Sequence, residues 1–135
     1  METSGVDAHD RELIQAAVDV IHRNYDADHH QVGAAVRCAS GKVYVGVNVE
    51  SCGYGPCAEP VAIGAAISAG ERKIVAIVAV YGGDERYPVL SPCGNCRQML
   101  VDYAPDAMVI LEQDGRPVKT RASSLLPAAY RNFGE

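Results

Sequence analysis

Two cysteine groups constrain the fold of this 135-residue chain more than any other feature. Cys57 stands alone, and Cys93 and Cys96 form a Cys-x-x-Cys pair much later in the sequence. Three thiolates brought together would bind a tetrahedral zinc and leave one position open, where a catalytic zinc keeps its water. A structural zinc site would need a fourth protein ligand. The fold must therefore bring two distant segments together, and each is predicted to lie where a loop enters a helix.

A carboxylate beside the cysteines points to catalysis. A Cys-x-x-Cys pair alone is ambiguous, because redox centres and halves of structural zinc sites share its spacing. Glu59, two positions after Cys57, is required by neither of those roles. Zinc deaminases combine three such ligands with a glutamate that is not a ligand and acts as general acid and base. The pattern indicates a hydrolytic deaminase with Glu59 as its catalytic residue. The alternative is a non-catalytic protein with a structural zinc or redox site.

Composition limits the classes of substrate and partner. With 48% hydrophobic residues, the chain can bury the core of one domain, which is expected over residues 1–135. The net charge of −5 disfavours a polyanionic partner, so no nucleic acid is expected and a free small molecule is favoured. No membrane association is expected either, because no run approaches the roughly 18 apolar residues of a span and the segment 1–10 does not resemble a signal peptide.

The total of five cysteines also indicates the redox state of the cellular compartment. An odd number does not suit a disulfide framework, and the proposed thiolate ligands need a reducing environment. We therefore expect a cytoplasmic protein. Cys38 is predicted to be a small core residue in a strand, and Cys52 a loop residue with no part in the site.

Hydrophobic periodicity predicts an α/β fold. Helices are expected over 9–24, 57–69, 96–103 and 123–130, and strands over 32–37, 43–49, 74–80, 108–111 and 117–119. This order of elements predicts a mixed sheet between helices. The helix over 57–69 is apolar nearly all round, which predicts burial by the sheet on one side and by a partner subunit on another.

Several short segments carry a family resemblance. In order along the chain they are Val32-Gly33-Ala34-Ala35, Asn48-Val49-Glu50, Cys57-Ala58-Glu59, Ser91-Pro92-Cys93-Gly94-Asn95-Cys96-Arg97-Gln98 and Leu125-Leu126-Pro127. With them the chain resembles the small zinc-dependent cytidine deaminases over nearly its whole length, and especially the blasticidin-S deaminases. The resemblance implies a three-layer α/β/α sandwich with a mixed five-stranded sheet, one zinc ion per chain, and a homotetramer with active sites at the subunit interfaces.

The resemblance also assigns the reaction and its central residues. It implies that Cys57, Cys93 and Cys96 bind the zinc. Glu59 would then move protons from water to ring N3 and to the leaving amine of a cytosine nucleoside. The product would carry an oxygen in place of the 4-amino group, and ammonia would be released.

Other residues are expected to support the zinc and the substrate. Three thiolates bound to a divalent zinc ion leave a net negative charge on the site. Two helix N-termini and hydrogen bonds from Arg97 are expected to offset this charge. Many three-cysteine family members carry an arginine directly after the catalytic glutamate, but this chain has Pro60 there. By resemblance, the backbone around Ala58 would hold the pyrimidine edge, and the carbonyl of Ser91 would bind the leaving ammonia.

Two substrates remain open. Asn48 and Glu50 match a family pair that hydrogen-bonds a ribose hydroxyl, which places cytidine or deoxycytidine first. His30 stands where cytidine deaminases carry a phenylalanine that packs on the base, and Gly55-Pro56 resembles blasticidin-S deaminases; both favour a nucleoside antibiotic and a role in resistance. Tyr130 matches a C-terminal aromatic residue that reaches a neighbouring active site. The plainer alternatives are an exposed histidine at a strand entry, a turn-forming Asn48 and a core tyrosine.

Overall fold

The strands form one mixed sheet, and the helices pack against it. Residues 1–131 are described in this computed structural model. The strands are β1 (Ser4–Gly5), β2 (Val32–Cys38), β3 (Val43–Val47), β4 (Ile74–Tyr81), β5 (Val89–Leu90), β6 (Met108–Gln113) and β7 (Arg116–Arg121). The α-helices are α1 (Ala8–Asn24), α2 (Ala58–Ser68) and α3 (Gly94–Tyr103), and a 3-10 helix covers Ala122–Leu125.

The sheet has the order β1-β7-β6-β4-β2-β3, with β5 paired to β4. Among the described strands, β4 and β6 are parallel and every other pair is antiparallel. A parallel pair needs a crossover connection, and this one contains β5 and α3. Five of the strands are the predicted ones, so the mixed five-stranded sheet is confirmed, and the two-residue strands β1 and β5 extend it.

Strand β4 illustrates how the sheet separates two cores. Ile77 and Ala79 pack with α2 and α3, whereas Ala76, Val78 and Val80 pack with α1. Successive side chains of a strand point to opposite faces, so α1 covers one face of the sheet and α2 and α3 cover the other. The predicted three-layer α/β/α sandwich is confirmed.

Two glycines allow the helices to lie close to the sheet. A Cβ atom at Gly33 in β2 would collide with the carbonyl oxygen of Ala17 in α1. A Cβ atom at Gly46 in β3 would lie 2.6 Å from the backbone nitrogen of Ala62 in α2. The close seating of α2 on β3 brings the start of this helix to the end of the sheet where the site lies.

Helix α2 is the most apolar of the three α-helices, but it has only 11 residues. It begins and ends within one residue of the prediction. Throughout residues 1–131, no helix combines the length and the apolar character needed to cross a bilayer.

The C-terminal segment differs from the prediction. Instead of a helix over 123–130, the 3-10 helix ends at Leu125, and the chain continues to residue 131 without regular structure. Pro127 accounts for the difference, because proline lacks a backbone N–H and disfavours helical backbone at the residue before it. Leu126 indeed has a non-helical conformation, with φ −144° and ψ 74°.

Candidate metal centre and active site

Two helix N-termini bring the three predicted cysteines together. Cys57 is the N-cap residue of α2, Cys93 is the N-cap residue of α3, and Cys96 lies in the first turn of α3. The Sγ atoms of Cys57 and Cys93 are 3.6 Å apart, and those of Cys93 and Cys96 are 3.2 Å apart. All three sulfurs lie within 4.8 Å of one another. The predicted convergence of the two segments is confirmed.

The three sulfurs fit a zinc ion. Zinc–sulfur bonds of about 2.3 Å in a tetrahedron place sulfurs about 3.8 Å apart, close to the observed separations. Within residues 1–131, the cluster contains no fourth histidine, cysteine or carboxylate, so a bound zinc would keep one position for a small ligand. Cys38 is buried in the core and Cys52 is exposed, and both lie outside the cluster.

The environments of the thiols differ. Burial raises the pKa of Cys57 and, together with the carboxylate of Glu59, that of Cys96. Burial acts in the same direction on Cys93, but backbone N–H groups of Cys96 and Asn95 donate to its sulfur and bring its pKa below the ordinary value. The N-terminus of α3 thus stabilises one thiolate, as expected of a helix N-terminus. A divalent cation would let all three lose their protons.

Glu59 lies beside the sulfurs in the first turn of α2. Only 6% of its surface is exposed. Burial raises the pKa of its carboxyl group, while its own backbone N–H and the Cys96 thiol act in the opposite direction. A buried carboxyl with a raised pKa next to a metal site is suited to accept and return protons near neutral pH.

Cys57, Cys93 and Glu59 line a cavity of about 260 Å³, and Cys96 is buried behind it. Ala58 lines it from the start of α2, and Ser91 lines it from the loop between β5 and α3. Glu50 lines it from the segment after β3. Glu50 is exposed in the single chain. We call the part lined by Cys57, Cys93 and Glu59 the metal end, and the part lined by Gln31, Asn48 and Glu50 the distal end.

Asn48 is buried at the distal end and is not a turn former. Its Oδ1 atom accepts hydrogen bonds from the backbone nitrogens of Gln31 and Val32, at 2.7 and 2.9 Å. Its Nδ2 atom donates to Gln31 Oε1 at 2.6 Å and to Glu50 Oε1 at 3.2 Å. The side chain joins the entry of β2 to the segment that follows β3.

His30 does not line the cavity, contrary to expectation. Its Nδ1 atom is 2.8 Å from the carbonyl oxygen of Asn48, and its backbone pairs with Asp26. The neighbouring Gln31 is among the lining residues instead. Sequence reasoning missed Gln31. Its position directly before the Val32-Gly33 motif was the available signal.

Arg97 is neither an exposed arginine nor a donor to the thiolates. Its Nε donates to the Pro92 carbonyl at 2.8 Å, NH1 to the Leu125 carbonyl at 2.9 Å, and NH2 to Ser91 Oγ at 2.7 Å. Among residues 1–131 it makes no hydrogen bond to a cysteine sulfur. Its contacts with Ser91 and Pro92 fix the loop that precedes Cys93.

Tyr130 lies outside the cavity of its own chain. Its side chain is 71% exposed, so the core alternative is wrong. Its carbonyl oxygen accepts a hydrogen bond from Gln98 Nε2 at 2.9 Å. The C-terminal segment is thereby held against α3 with the tyrosine ring facing outwards.

Known proteins share both the sequence pattern and the fold. The family model for the "cytidine and deoxycytidylate deaminase zinc-binding region" matches residues 7–112. A blasticidin-S deaminase from Bacillus cereus is 39% identical over 96% of this chain and 98% of its own length. A cytidine deaminase from Halalkalibacterium halodurans is 41% identical over 74% of this chain and 76% of its own length.

A solved structure of a cytidine deaminase has a similar fold. The crystal structure of cytidine deaminase from Burkholderia pseudomallei covers 93% of this chain and 100% of its own, with a TM-score of 0.75 and 35% identity. The resemblance inferred from the motifs is confirmed. The chain belongs to the family of zinc-binding cytidine and deoxycytidylate deaminases and is a zinc-dependent hydrolytic deaminase.

Proposed function

We propose that the protein hydrolyses the 4-amino group of a free cytosine nucleoside, with cytidine and deoxycytidine as the first candidates. One observation carries this proposal, namely the convergence of three cysteine sulfurs and a buried Glu59 at one end of a cavity. Relatives named cytidine deaminase support the cytosine base. The absence of basic side chains among the cavity-lining residues of the described chain supports a nucleoside without a phosphate.

Glu59 performs the proton transfers in the proposed reaction. Zinc held by Cys57, Cys93 and Cys96 would supply a water whose pKa is lowered towards about 7. Glu59 takes a proton from this water and delivers it to ring N3 as the oxygen adds to C4. The hydroxyl that has added to C4 then gives up its proton, which the same carboxyl passes to the amino group, and the C4–N bond breaks as the C4 carbonyl forms. Water and the amino compound are consumed, and a carbonyl compound and ammonia are formed.

The backbone at both sides of the zinc cluster would orient the base. The N–H groups in the first turn of α2, including that of Ala58, have no partner within the helix and can face the pyrimidine edge. The Ser91 carbonyl would accept a hydrogen bond from the departing ammonia. Arg97 supports this role indirectly, because it binds the Ser91 hydroxyl and the Pro92 carbonyl.

A blasticidin-S deaminase activity is the second candidate. The matching region covers 96% of this chain and 98% of the Bacillus cereus enzyme of that name, a larger share than for the cytidine deaminase from Halalkalibacterium halodurans. Ammonia release from cytidine, deoxycytidine, cytosine and blasticidin S would rank the substrates. If ammonia were released from none of them, the proposed function would be overturned. Ammonia release from blasticidin S alone would indicate a role in antibiotic resistance.

A homotetramer with active sites at subunit interfaces completes the proposal. Val61, Ala65 and Ile67 of α2 are apolar and half-buried, and a Cβ atom at Gly64 would meet nothing within 4 Å. Burial of this apolar side by a second copy would favour association. Tyr130 is exposed enough to reach a neighbouring chain. Light scattering after size exclusion would measure the mass, and a monomer at assay concentrations would contradict the assembly.

A further inference from the structure

The C-terminal segment, residues 126–131, has few contacts that hold it in one conformation. None of its six residues is buried. Within residues 1–131, its backbone makes no hydrogen bond with the backbone of a helix or a strand. Ala128 has a φ of 56°, a left-handed conformation that residues other than glycine adopt at an energetic cost. Such a segment keeps its conformation only where specific contacts hold it.

Two consecutive residues of α3 supply these contacts. Arg97 NH1 donates to the carbonyl of Leu125, directly before the segment, at 2.9 Å. Gln98 Nε2 donates to the carbonyl of Tyr130 at 2.9 Å and to Asp102 Oδ1 at 3.1 Å. Both acceptors can only accept, so they fix the orientation of the Gln98 amide. The segment is therefore attached to α3 near both of its ends.

The same two residues follow the zinc-binding cysteines. Arg97 comes directly after Cys96, and its backbone nitrogen donates to the Cys93 carbonyl at 2.9 Å. The first turn of α3 thus carries two of the three sulfurs and leads directly into both attachments. Zinc bound to Cys57, Cys93 and Cys96 would join this turn to the start of α2 and fix its position.

We propose that Arg97 and Gln98 link zinc binding to the attachment of the C-terminal segment, with Gln98 as the positioning residue for Tyr130. Zinc orders the turn that presents the two donors, and the attached segment in turn stabilises the zinc-binding arrangement of that turn. Such coupling is reciprocal, so whatever detaches the segment must weaken zinc binding by the same factor. The inference rests on the assigned zinc ligands and is independent of the substrate.

A single tryptophan can report the attachment, because the chain contains none. In Tyr130→Trp we expect the fluorescence anisotropy to fall when a chelator removes the zinc. Adding Gln98→Met should lower the anisotropy of the zinc-loaded protein and remove most of its response to zinc. Tyr103→Trp, exposed on α3, is the control for overall tumbling and should not respond to Gln98→Met.

If zinc removal abolished the circular dichroism signal of the fold, the zinc-loaded proteins alone would decide. Equal anisotropy in zinc-loaded Tyr130→Trp with and without Gln98→Met would overturn the attachment. An equal fall in the Tyr103→Trp background would also overturn it, because the change would then concern tumbling of the whole molecule.

Zinc affinity tests the reciprocal side of the linkage. Competition with a chromogenic chelator should show zinc binding about two- to fivefold weaker in Gln98→Met than in the wild type, because the lost hydrogen bond lies in an exposed segment. Asp102→Ala is the matched control. It removes the other partner of the Gln98 amide, keeps the bond to Tyr130, and should leave the zinc affinity unchanged.

The results separate this inference from the proposed function, since neither measurement uses a substrate. Equal zinc affinities of Gln98→Met and the wild type would overturn the linkage even in an active deaminase. Weaker zinc binding by Asp102→Ala as well as Gln98→Met would assign the effect to α3 itself and would likewise overturn it. A wild type that released no ammonia from any nucleoside would refute the proposed function while the linkage could still be confirmed.

Discussion

The two ends of the cavity are built in different ways. At the metal end, the N-termini of α2 and α3 hold cysteines and a glutamate whose spacing is short within each segment. At the distal end, Gln31, Asn48 and Glu50 are joined by side-chain hydrogen bonds between the entry of β2 and the exit of β3. The residues assigned to zinc binding and proton transfer lie in two short sequence motifs. The distal end instead depends on hydrogen bonds between segments that are distant in the sequence. Variants at the two ends should therefore fail in different ways.

Loss of a sulfur ligand should have the largest effect. Cys93→Ala removes the thiol that lies between the other two, and we expect the purified variant to contain no zinc and to lack activity. Elemental analysis and ammonia release would measure both. Cys52→Ala is the matched control, because Cys52 is exposed and outside the cluster, and it should retain one zinc per chain with full activity. An active Cys93→Ala enzyme would refute the assigned ligands.

Replacement of the buried carboxyl should separate metal binding from proton transfer. Glu59→Gln should fold and keep its zinc, but its kcat should fall by about 10²- to 10⁴-fold, the usual contribution of general acid–base catalysis. Glu112→Gln, at an exposed position in β6, serves as the control. Near-normal turnover by Glu59→Gln would make Glu59 a structural residue and invalidate the proposed proton path.

The same contrast explains what the sequence could predict. The convergence of Cys57 with the Cys93 pair was predictable, because a catalytic zinc needs three ligands and each group precedes a helical pattern. The position of Gln31 in the cavity lining was not predictable, because it follows from the pairing of β2 with β3, which brings Gln31 to Asn48. Arg97 was misassigned for a similar reason. One of its partners is the Leu125 carbonyl, which belongs to a segment whose expected helix ends early.

At the distal end, a charge change should alter substrate preference more than turnover. Glu50→Ala should lower kcat/KM for cytidine, and we expect a loss of transition-state stabilisation near the lower end of the range of about 1.5–3 kcal/mol. The lower end is expected because Glu50 is exposed in the single chain. The effect on blasticidin S should be smaller, since its unsaturated sugar lacks the ribose hydroxyls. Steady-state kinetics on both substrates would measure the difference. Good blasticidin S turnover, poor cytidine turnover and no effect of the substitution would reverse the ranking of substrates.

Arg97 offers a milder test of what supports the metal end. Lysine keeps the charge but cannot donate to Pro92, Leu125 and Ser91 at once, so Arg97→Lys should keep its zinc and lose about three- to tenfold in kcat/KM. Arg121→Lys, in an exposed pair with Asp106, is the control. If lysine restored full activity while glutamine did not, the charge of Arg97 would matter and its hydrogen bonds would not.

The capping box of α1 contains none of the cavity-lining residues. The Asp10 backbone nitrogen donates to Asp7 Oδ1 at 2.9 Å, and the Asp7 nitrogen donates to Asp10 Oδ2 at 2.9 Å. The hydrogen bond from the Asp10 nitrogen, with help from the charge of Lys119, holds the pKa of Asp7 below its ordinary value, although burial acts in the opposite direction. The charged form of Asp7 therefore stabilises the folded state.

Asp7→Asn should consequently change stability slightly and activity not at all. A depressed pKa contributes stability above the unfolded-state value of about 3.9, and this contribution disappears as the pH falls through the folded-state pKa. Asparagine still accepts the capping hydrogen bond but does not titrate. The wild type should thus have the higher melting temperature at about pH 7, and the difference should shrink towards about pH 3. A pH-independent difference in thermal denaturation would show that the Asp7 charge plays no part, whereas a change in kcat at neutral pH would connect α1 to the cavity.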